Sequence, residues 1–356
     1  MAKGGYIGDG NNKARKLKKA YIGDENNKAR KVKKGYIGDE NGKAKLFWTS
    51  NINTLVTWDM TSYDVAYSVN LQTWINRNID IIIFSSGTFG NDKFVRFVGG
   101  KASYSTDGIN WTTADTNILI QNGTYEFLDG KFVCYDSTSS GNNIYHTSTD
   151  GFNWNEETCV FNSDFPLGLT TTRIIKVNNK YIMIGNNFKD SYSQGVIFIS
   201  EDVANWTGVN YLGARYCTDI AYGNGKLVVV GNTDASGMGC VRVSSDFFDT
   251  YSIYLNPNRV YNAISFGNGV FVALSDYGIS YSTDGIDWIA VVALFGITLN
   301  NIVFTGERFF CSGSNGYSYY SIDGVTWTQM SGLSNTSNYR ELIYSIDGGG
   351  TQPLIS

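Results

Sequence analysis

Most of the chain alternates short apolar runs with clusters of Gly, Asn, Asp and Ser. Residues 262–266 (NAISF), 270–274 (VFVAL) and 278–281 (GISY) are three such runs, and turn residues lie between them. Short runs rich in β-branched and aromatic side chains are typical of strands, and Asn-Gly between two runs is a strong hairpin signal. The same layout recurs at 219–250 and 301–327. The pattern predicts an all-β fold of short antiparallel strands.

A seven-residue motif, Ser-x-Asp-Gly-x-x-Trp in its fullest form, recurs along the same part of the chain. Its seven copies begin at Ser residues that are 37, 43, 52, 44, 38 and 39 positions apart. A period near 40 residues with several strands per unit is typical of propeller blades. We therefore predict a β-propeller with seven four-stranded blades. Five copies keep Ser, Asp and Trp: Ser105, Asp107, Trp111; Ser148, Asp150, Trp154; Ser200, Asp202, Trp206; Ser282, Asp284, Trp288; and Ser321, Asp323, Trp327.

Each residue type of the motif has a structural use. Asp accepts main-chain N–H bonds in a turn, and Gly supplies the positive φ that the turn requires. We expect the Ser hydroxyl to tie the far side of the hairpin and the Trp to fill the gap between adjacent blades. The motif resembles the Asp-box of sialidases and many other propellers. That resemblance implies the propeller fold and a structural role away from catalytic centres.

The two ends of the body each supply part of a blade. Residues 341–355 match strands one and two, and residues 64–74 match strands three and four. Joining them completes one blade from both ends and removes the exposed sheet edges. Alternatively, residues 47–58 start the first blade, which leaves the C-terminal hairpin as an extra element.

Residues 1–45 differ from the body, residues 46–356, in charge and in repeat. They carry 13 basic and 5 acidic residues, whereas the body carries 15 basic and 27 acidic ones. A basic arm on an acidic body indicates a domain boundary. Asn-rich turn clusters in the arm predict a small basic β-repeat, although a helix over 13–23 is an alternative. A Tyr-Ile-Gly-Asp segment repeats there every 15 residues, beginning at Tyr6, Tyr21 and Tyr36.

The arm is suited to docking. Its Lys-rich strands fit an acidic partner in an assembly. The alternatives are phosphate contacts with nucleic acid or an anionic cell-wall polymer, and a solvated charged spacer. The repeat over residues 4–48 resembles segments of structural proteins of phages and phage-like elements from Gram-positive bacteria. The resemblance implies a tail or baseplate component of a virion or tail-like particle, in several copies, assembled in the host cytoplasm and then extracellular. Other particle proteins are the expected partners of the arm, and nucleic acid is not.

Composition excludes several classes of protein. Aromatic residues make up 15% of the chain and charged residues 17%, which does not suit a disordered protein. No apolar run reaches the ~18 residues that a membrane span requires, and the N-terminus shows no secretory signal peptide. Five widely spread Cys residues predict no disulfide framework. With one His and no zinc spacing or nucleotide fingerprint, we expect no metal and no cofactor.

The resemblance to sialidases does not extend to their catalytic residues. Those enzymes use three arginines, a Tyr–Glu pair and an Asp, and a Phe-Arg-Ile-Pro motif carries the first arginine. The nearest stretch here is Phe94-Val-Arg96-Phe97, which is not that motif. We therefore expect no catalytic residue. A glycosidase needs only two carboxylates at a suitable separation, so it is a second alternative.

A ligand surface is expected on the face that carries the connections between strands two and three. Three of these connections, 136–143, 186–195 and 232–239, are long and polar and come from adjacent blades. Their Ser, Gly, Asn and Tyr residues suit adaptable binding, although solvated loops without a ligand are the alternative. The candidate binding residues are Asp136, Asn143, Phe188, Asp190, Tyr192 and Asp234.

The sequence thus favours a non-enzymatic structural protein of a phage tail or tail-like particle. The arm docks on the particle, and the propeller is exposed to bind a glycan or wall polymer of the bacterial surface. A purely structural baseplate or decoration subunit is the first alternative, and a glycan-degrading enzyme is the second.

Overall fold

The chain divides into two compact units, Met1–Ile52 and Asn53–Ser356. A computed structural model describes residues 21–23, 29–31, 34–38, 44–49, 54–59, 64–69, 71–78, 87–98, 100–118, 123–136, 144–162, 169–187, 194–211, 216–232, 238–256, 259–293, 296–334 and 339–345.

The described part of the first unit consists of two antiparallel hairpins. Tyr21–Gly23 (β1) pairs with Ala29–Lys31 (β2), and Lys34–Gly38 (β3) pairs with Ala44–Thr49 (β4). Both connections contain the Asn-rich clusters that the repeat predicts as turns. The described residues of the 13–23 segment, 21–23, are strand and not helix. Tyr21 and Tyr36 lie in β1 and β3, and Tyr6 lies outside the described residues.

The second unit consists of seven antiparallel sheets of four strands, each one blade of a propeller. Within each blade the strands below run from the innermost to the outermost. Blade 1 contains Tyr339–Tyr344 (β33), Leu55–Asp59 (β5), Asp64–Ser68 (β6) and Ile75–Asn78 (β7). Blade 2 contains Gly87–Gly90 (β8), Lys93–Val98 (β9), Lys101–Ser105 (β10) and Thr112–Asp115 (β11). Blade 3 contains Gly123–Leu128 (β12), Lys131–Asp136 (β13), Ile144–Ser148 (β14) and Asn155–Thr158 (β15).

Blade 4 contains Leu169–Val177 (β17), Lys180–Asn187 (β18), Gln194–Ser200 (β19) and Asn205–Tyr211 (β20). Val160–Phe161 (β16) is an added strand that pairs in parallel with β20. Blade 5 contains Tyr216–Gly223 (β21), Lys226–Asn232 (β22), Gly239–Ser244 (β23) and Ser252–Asn256 (β24). Blade 6 contains Tyr261–Gly267 (β25), Val270–Ser275 (β26), Gly278–Ser282 (β27) and Ile289–Ala293 (β28). Blade 7 contains Leu299–Phe304 (β29), Phe309–Gly313 (β30), Ser318–Ser321 (β31) and Thr328–Gln329 (β32), with a 3₁₀ turn at Ser314–Gly316.

The seven blades form a closed ring. The innermost strand of each blade contacts that of the next, and β33 of blade 1 contacts β8 of blade 2. The predicted all-β propeller with seven four-stranded blades is therefore confirmed. The ring has two faces. The loop face carries the connections from strand two to three and from strand four to the next blade's strand one. The turn face carries the connections from strand one to two and from strand three to four.

Blade 1 is completed from both chain ends, but the predicted division of its strands is wrong. The C-terminal segment supplies one strand, β33, and the N-terminal side supplies three, because β5 is the second strand and pairs with both β33 and β6. Leu55 and Val56 in β5 are fully buried, so this apolar strand needs a neighbour on each side. The predicted second half of the C-terminal hairpin, residues 346–355, lies outside the described residues.

The apolar core lies between blades. One cluster joins Ile184 and Ile197 of blade 4 to Ile220 and Val229 of blade 5. Trp206 shows the predicted wedge: it is 1% exposed, and its indole N–H donates to the Tyr135 hydroxyl of the preceding blade at 3.2 Å.

A β-bulge shapes the innermost strand of five blades. The strand pairing skips one residue in blades 4, 5, 6, 7 and 1, namely Thr172, Thr218, Asn262, Asn300 and Arg340. Three of these side chains donate to a carbonyl oxygen of the next blade: Thr172 to Cys217 at 3.4 Å, Thr218 to Tyr261 at 2.9 Å and Asn262 to Leu299 at 2.9 Å. A bulge redirects a side chain out of the regular pleat. Here it lets one innermost strand bind the next around the axis.

In three of the five bulged blades, a glycine lies opposite the bulge. In blade 5, a Cβ atom at Gly231 would lie 2.0 Å from the carbonyl oxygen of Tyr216. Gly185 and Gly313 occupy the equivalent positions of blades 4 and 7, and a Cβ atom there would meet a main-chain oxygen at 2.6 and 2.2 Å.

We expect Gly231→Ala to destabilise the propeller by about 2 kcal/mol, because backbone must move to admit the methyl group. Gly225→Ala is the matched control, since its Cβ would meet nothing within 4 Å and the change strains only a φ of +72°; we expect it to cost about 1 kcal/mol. Urea unfolding of the full chain measures both. Equal losses for the two variants would contradict the close approach at the bulge.

Candidate functional site

The seven copies of the motif, six with Asp and one with Asn at the third position, lie between strands three and four, on the turn face. In the second copy, the Ser105 hydroxyl donates to Asp107 Oδ1 at 2.9 Å and accepts the Gly108 N–H at 2.8 Å. Asp107 Oδ1 also accepts the N–H groups of Ile109 and Asn110, both at 2.8 Å. The prediction for Asp is confirmed, whereas the Ser hydroxyl binds within its own turn and not to the far side of the hairpin.

The fourth position of the turn is left-handed in every copy. The residues and φ values are Leu71 (56°), Gly108 (73°), Gly151 (84°), Val203 (59°), Phe247 (58°), Gly285 (77°) and Gly324 (75°). A positive φ is uncommon for a β-branched residue such as Val203. The geometry of the turn therefore overrides local residue preference at three positions.

The turn carboxylates accept hydrogen bonds from main-chain N–H groups of their own turns. The N–H of Asn205 lowers the pKa of Asp202 to about 2, and the N–H of Thr326 does the same for Asp323, also to about 2. Both groups are ionised at neutral pH and hydrogen-bonded inside the turn, so they are poor proton donors.

This binding predicts a loss of stability in acid. Because the folded pKa of Asp323 is about 2 against an ordinary value of 3.8, its contribution is present above pH 3.8 and is lost as the pH falls to about 2. We expect Asp323→Asn to weaken this acid dependence in urea unfolding between pH 5 and pH 2. Asp249→Asn, at an exposed carboxylate, is the control and should keep the parental profile.

The strands that bound the three long connections come from consecutive blades. They are β13 and β14, β18 and β19, and β22 and β23, in blades 3, 4 and 5. Asp136 is the last residue of β13 and pairs with Gly123. The other five candidate residues, Asn143, Phe188, Asp190, Tyr192 and Asp234, lie outside the described residues, so their role stays a prediction.

A charged arc that was not expected lies on the innermost strands of the same three blades. It consists of Glu126 in β12, Arg173 in β17 and Asp219 in β21. Arg173 Nη1 lies 3.5 Å from Asp219 Oδ1. The three residues lie on consecutive innermost strands of the ring, in blades 3, 4 and 5.

The two carboxylates of the arc also bind the main chain of the next blade. Glu126 accepts the N–H of Ile174 in blade 4. Asp219 accepts the N–H of Ile264 in blade 6 at 2.9 Å and that of its own neighbour Ile220 at 2.8 Å. Asp219 is buried, whereas Glu126 and Arg173 are half-buried.

Burial controls the protonation of the arc. Burial raises the pKa of Glu126 to about 7. The Arg173 charge and the Ile174 N–H oppose this rise, whereas the Asp219 charge adds to it. Burial also raises the pKa of Asp219, opposed first by Arg173 and then by its two main-chain bonds. Glu126 therefore exchanges its proton near neutral pH.

The charge does not follow from the fold at these positions, although blade 1 also carries a charged residue, Glu341, at the register position of Asp219. The pairing register places Thr88, Ser265 and Val303 of blades 2, 6 and 7 at the position of Glu126. Ala263 and Asn301 occupy the position of Asp219 in blades 6 and 7. A signal for the arc was present in the sequence, since Glu126, Arg173 and Asp219 each interrupt an apolar innermost strand.

Other buried polar groups lie in the sheets. Arg242 is fully buried in β23, and His146 is buried in β14, with its Nε2 atom 3.9 Å from Glu156 Oε2. All five Cys residues are buried free thiols. Among the described residues, no three His, Cys, Asp or Glu side chains are grouped to hold a metal ion. No helix in that part of the chain has the length and apolar character to cross a membrane.

Comparison with known proteins supports the fold and nothing finer. No protein family and no curated protein matches the chain. The chain is similar in structure to apo AztD from Citrobacter koseri, with 9% identity, a TM-score of 0.50 and coverage of 85% of this chain and 100% of that one. The XC5397 gluconolactonase from Xanthomonas campestris has 12% identity, a TM-score of 0.45 and coverage of 67% and 82%. A luciferin-regenerating enzyme has 10% identity, a TM-score of 0.48 and coverage of 76% and 95%.

The arc predicts a stability change near neutral pH. The folded chain holds the Glu126 proton more tightly than the unfolded chain does, so stability should fall as the pH rises from about 4.5 to about 7. We expect Glu126→Gln to flatten this decline in urea unfolding. Glu157→Gln, on the exposed outer strand of the same blade, is the control. Identical profiles for the parent and Glu126→Gln would show that Glu126 does not titrate in this range.

Proposed function

We propose that the protein is a non-enzymatic structural component of a phage tail or tail-like particle. Its basic arm docks on other particle proteins, and its propeller binds a glycan or wall polymer on the surface of a Gram-positive host. The protein assembles in the host cytoplasm in several copies per particle and is extracellular after release. The resemblance of the arm repeat and its excess of basic residues support the docking half of this proposal.

The observation that carries the binding half is that the three long polar connections between strands two and three come from consecutive blades. The three long polar connections and the charged arc belong to the same blades, 3 to 5. Binding residues are frequently on loops that a rigid scaffold positions. A purely structural subunit has no need of such a concentration on one side of a pseudo-symmetric ring.

A glycosidase is the second candidate, because the arc contains two carboxylates and the pKa of Glu126 is raised to about 7. A raised pKa suits a general acid. However, Asp219 is occupied by two main-chain N–H groups and Arg173, which favours a structural or binding role over a nucleophile or base.

The proposal predicts saturable binding of the labelled full chain to intact low-GC Gram-positive cells. We expect binding to disappear on wall-stripped cells and to fall about tenfold in an Asp190→Ala/Tyr192→Ala variant, because aromatic and charged contacts dominate interfaces. The control is Glu201→Ala/Thr283→Ala, which alters exposed residues of the turn face.

Two further outcomes separate the alternatives. A chain that joins particles without binding cells would identify a purely structural subunit. Release of reducing ends from host walls would identify an enzyme. Tyr6→Ala/Tyr21→Ala/Tyr36→Ala should abolish co-sedimentation with particles while leaving cell binding intact.

A further inference from the structure

Three Asn-Gly pairs lie wholly within the described residues, and all three occupy turns. Their Asn residues, Asn224, Asn268 and Asn315, have φ values of 48°, 48° and 55°, and each is exposed to solvent. Asn tolerates this left-handed backbone better than most residues, and Gly adopts it without steric cost. In an Asn-Gly pair the main-chain nitrogen of Gly attacks the Asn side chain readily, because Gly has no side chain to shield that nitrogen. The three pairs thus share sequence, backbone conformation and exposure.

The side-chain amides of the three Asn residues differ in their contacts. Asn224 Nδ2 donates to two carbonyl oxygens of blade 6, both at 3.0 Å. Asn268 Nδ2 donates to two carbonyl oxygens of blade 7, at 3.5 and 2.6 Å. Among the hydrogen bonds of the described residues, none involves the side-chain amide of Asn315. The amide of Asn315 is therefore the one that can rotate without losing a bond to the next blade.

The fold requires glycine at position 316. A Cβ atom there would lie 2.6 Å from the carbonyl oxygen of Ser334, and the φ of Gly316 is +71°. The 3₁₀ turn Ser314–Gly316 also contacts β33, the strand that closes the ring by pairing with β5. Close packing thus demands the glycine that makes Asn315 reactive, and it places the pair beside the ring closure.

We infer that Asn315 is a site of spontaneous deamidation, and that its isoaspartate product weakens the closure of the ring between blades 7 and 1. The site lies on the loop face, in the connection from strand two to strand three of blade 7. This inference is independent of the proposed function.

The reaction needs only water and hydroxide. The main-chain nitrogen of Gly316 loses its proton to hydroxide and bonds to Asn315 Cγ, and the side-chain nitrogen leaves that carbon as ammonia, with its added proton taken from water. Water then opens the resulting cyclic imide. Cleavage between Cγ and the nitrogen gives aspartate, whereas cleavage between the main-chain carbonyl carbon and the nitrogen gives isoaspartate. Either product adds one negative charge.

Side-chain hydrogen bonds decide which pair reacts first in the folded chain. The Asn side chain must rotate before its Cγ meets the nitrogen, and rotation of Asn224 or Asn268 first breaks two bonds to the next blade. Each broken bond raises the activation barrier, so these two residues should convert more than about tenfold more slowly than Asn315. The packing of Gly316 against Ser334 restrains the attacking nitrogen, so Asn315 should convert more slowly in the folded chain than in urea.

The two products differ in their effect on the turn. Isoaspartate lengthens the main chain by a methylene group, and Gly316 already lies close against Ser334. Just beyond the turn, the Ser318 hydroxyl accepts the indole N–H of Trp74 in blade 1 at 3.0 Å. Displacement of the turn therefore disturbs contacts that hold blade 1 against blade 7. Aspartate keeps the normal main chain and adds only a charge at an exposed position.

The first measurement ages the full chain in mildly alkaline heavy-oxygen water, with and without urea, and digests it in ordinary water. Mass spectrometry of the peptides reports the label that hydrolysis of the imide introduces at each Asn. In the folded chain, label should enter at Asn315 more than about tenfold faster than at Asn224 or Asn268. In urea the three residues should convert at similar rates, which attributes the difference to the fold.

The second measurement is urea unfolding of the fresh and the aged chain. We expect a fraction with a lower unfolding midpoint that grows with the isoaspartate content. The midpoint of Asn315→Gln should not change with ageing, because the longer Gln side chain forms its imide slowly. Asn315→Asp isolates the added charge and should unfold close to the fresh parent, since Asp also tolerates the left-handed backbone.

Three results would contradict the inference. Equal labelling of Asn315 and of Asn224 or Asn268 in the folded chain would overturn the assigned site. Labelling of Asn315 in urea but not in the folded chain would also overturn it, because the turn would then hold Gly316 in place. Labelling of Asn315 without a change in unfolding, or with an equal change in fresh Asn315→Asp, would overturn the link to ring closure.

Discussion

The structure depends on the packing of each blade against its two neighbours. The apolar clusters join residues of adjacent blades, such as Ile184 of blade 4 and Val229 of blade 5, so one blade alone leaves its apolar faces in water. Only a closed ring buries both faces of every sheet. The pairing of β33 with β5 supplies that closure and joins the two ends of the propeller in a single sheet.

Hydrogen bonds between innermost strands complement this packing. The bulged Thr218 reaches Tyr261 of the next blade, and Asp219 beside it reaches the N–H of Ile264. On the turn face, the Asn224 amide donates to carbonyl oxygens of Gly269 and Thr283, both at 3.0 Å. Adjacent blades are thus joined at both ends of their innermost strands, which gives loop-borne side chains a rigid base.

The charged arc shows that the propeller fold leaves the residue type free at some positions of the innermost strands. The same register position holds Glu126 in blade 3 and Thr88, Ser265 or Val303 in others, so the fold does not require a charge there. Burial is the main cause of the raised Glu126 pKa, the Asp219 charge adds to the rise, and Arg173 opposes it.

The sequence by itself determined the all-β class, the number of blades and the Asp-centred turns, because these depend on local patterns that recur along the chain. It did not determine which strands close blade 1, because β33 and β5 are about 280 residues apart and their pairing depends on burial in the finished ring. Each of Glu126, Arg173 and Asp219 interrupts an apolar strand in the sequence, but the sequence did not show that these three strands are neighbours in the ring. Only the convergence of innermost strands around one axis brings them into a single electrostatic environment.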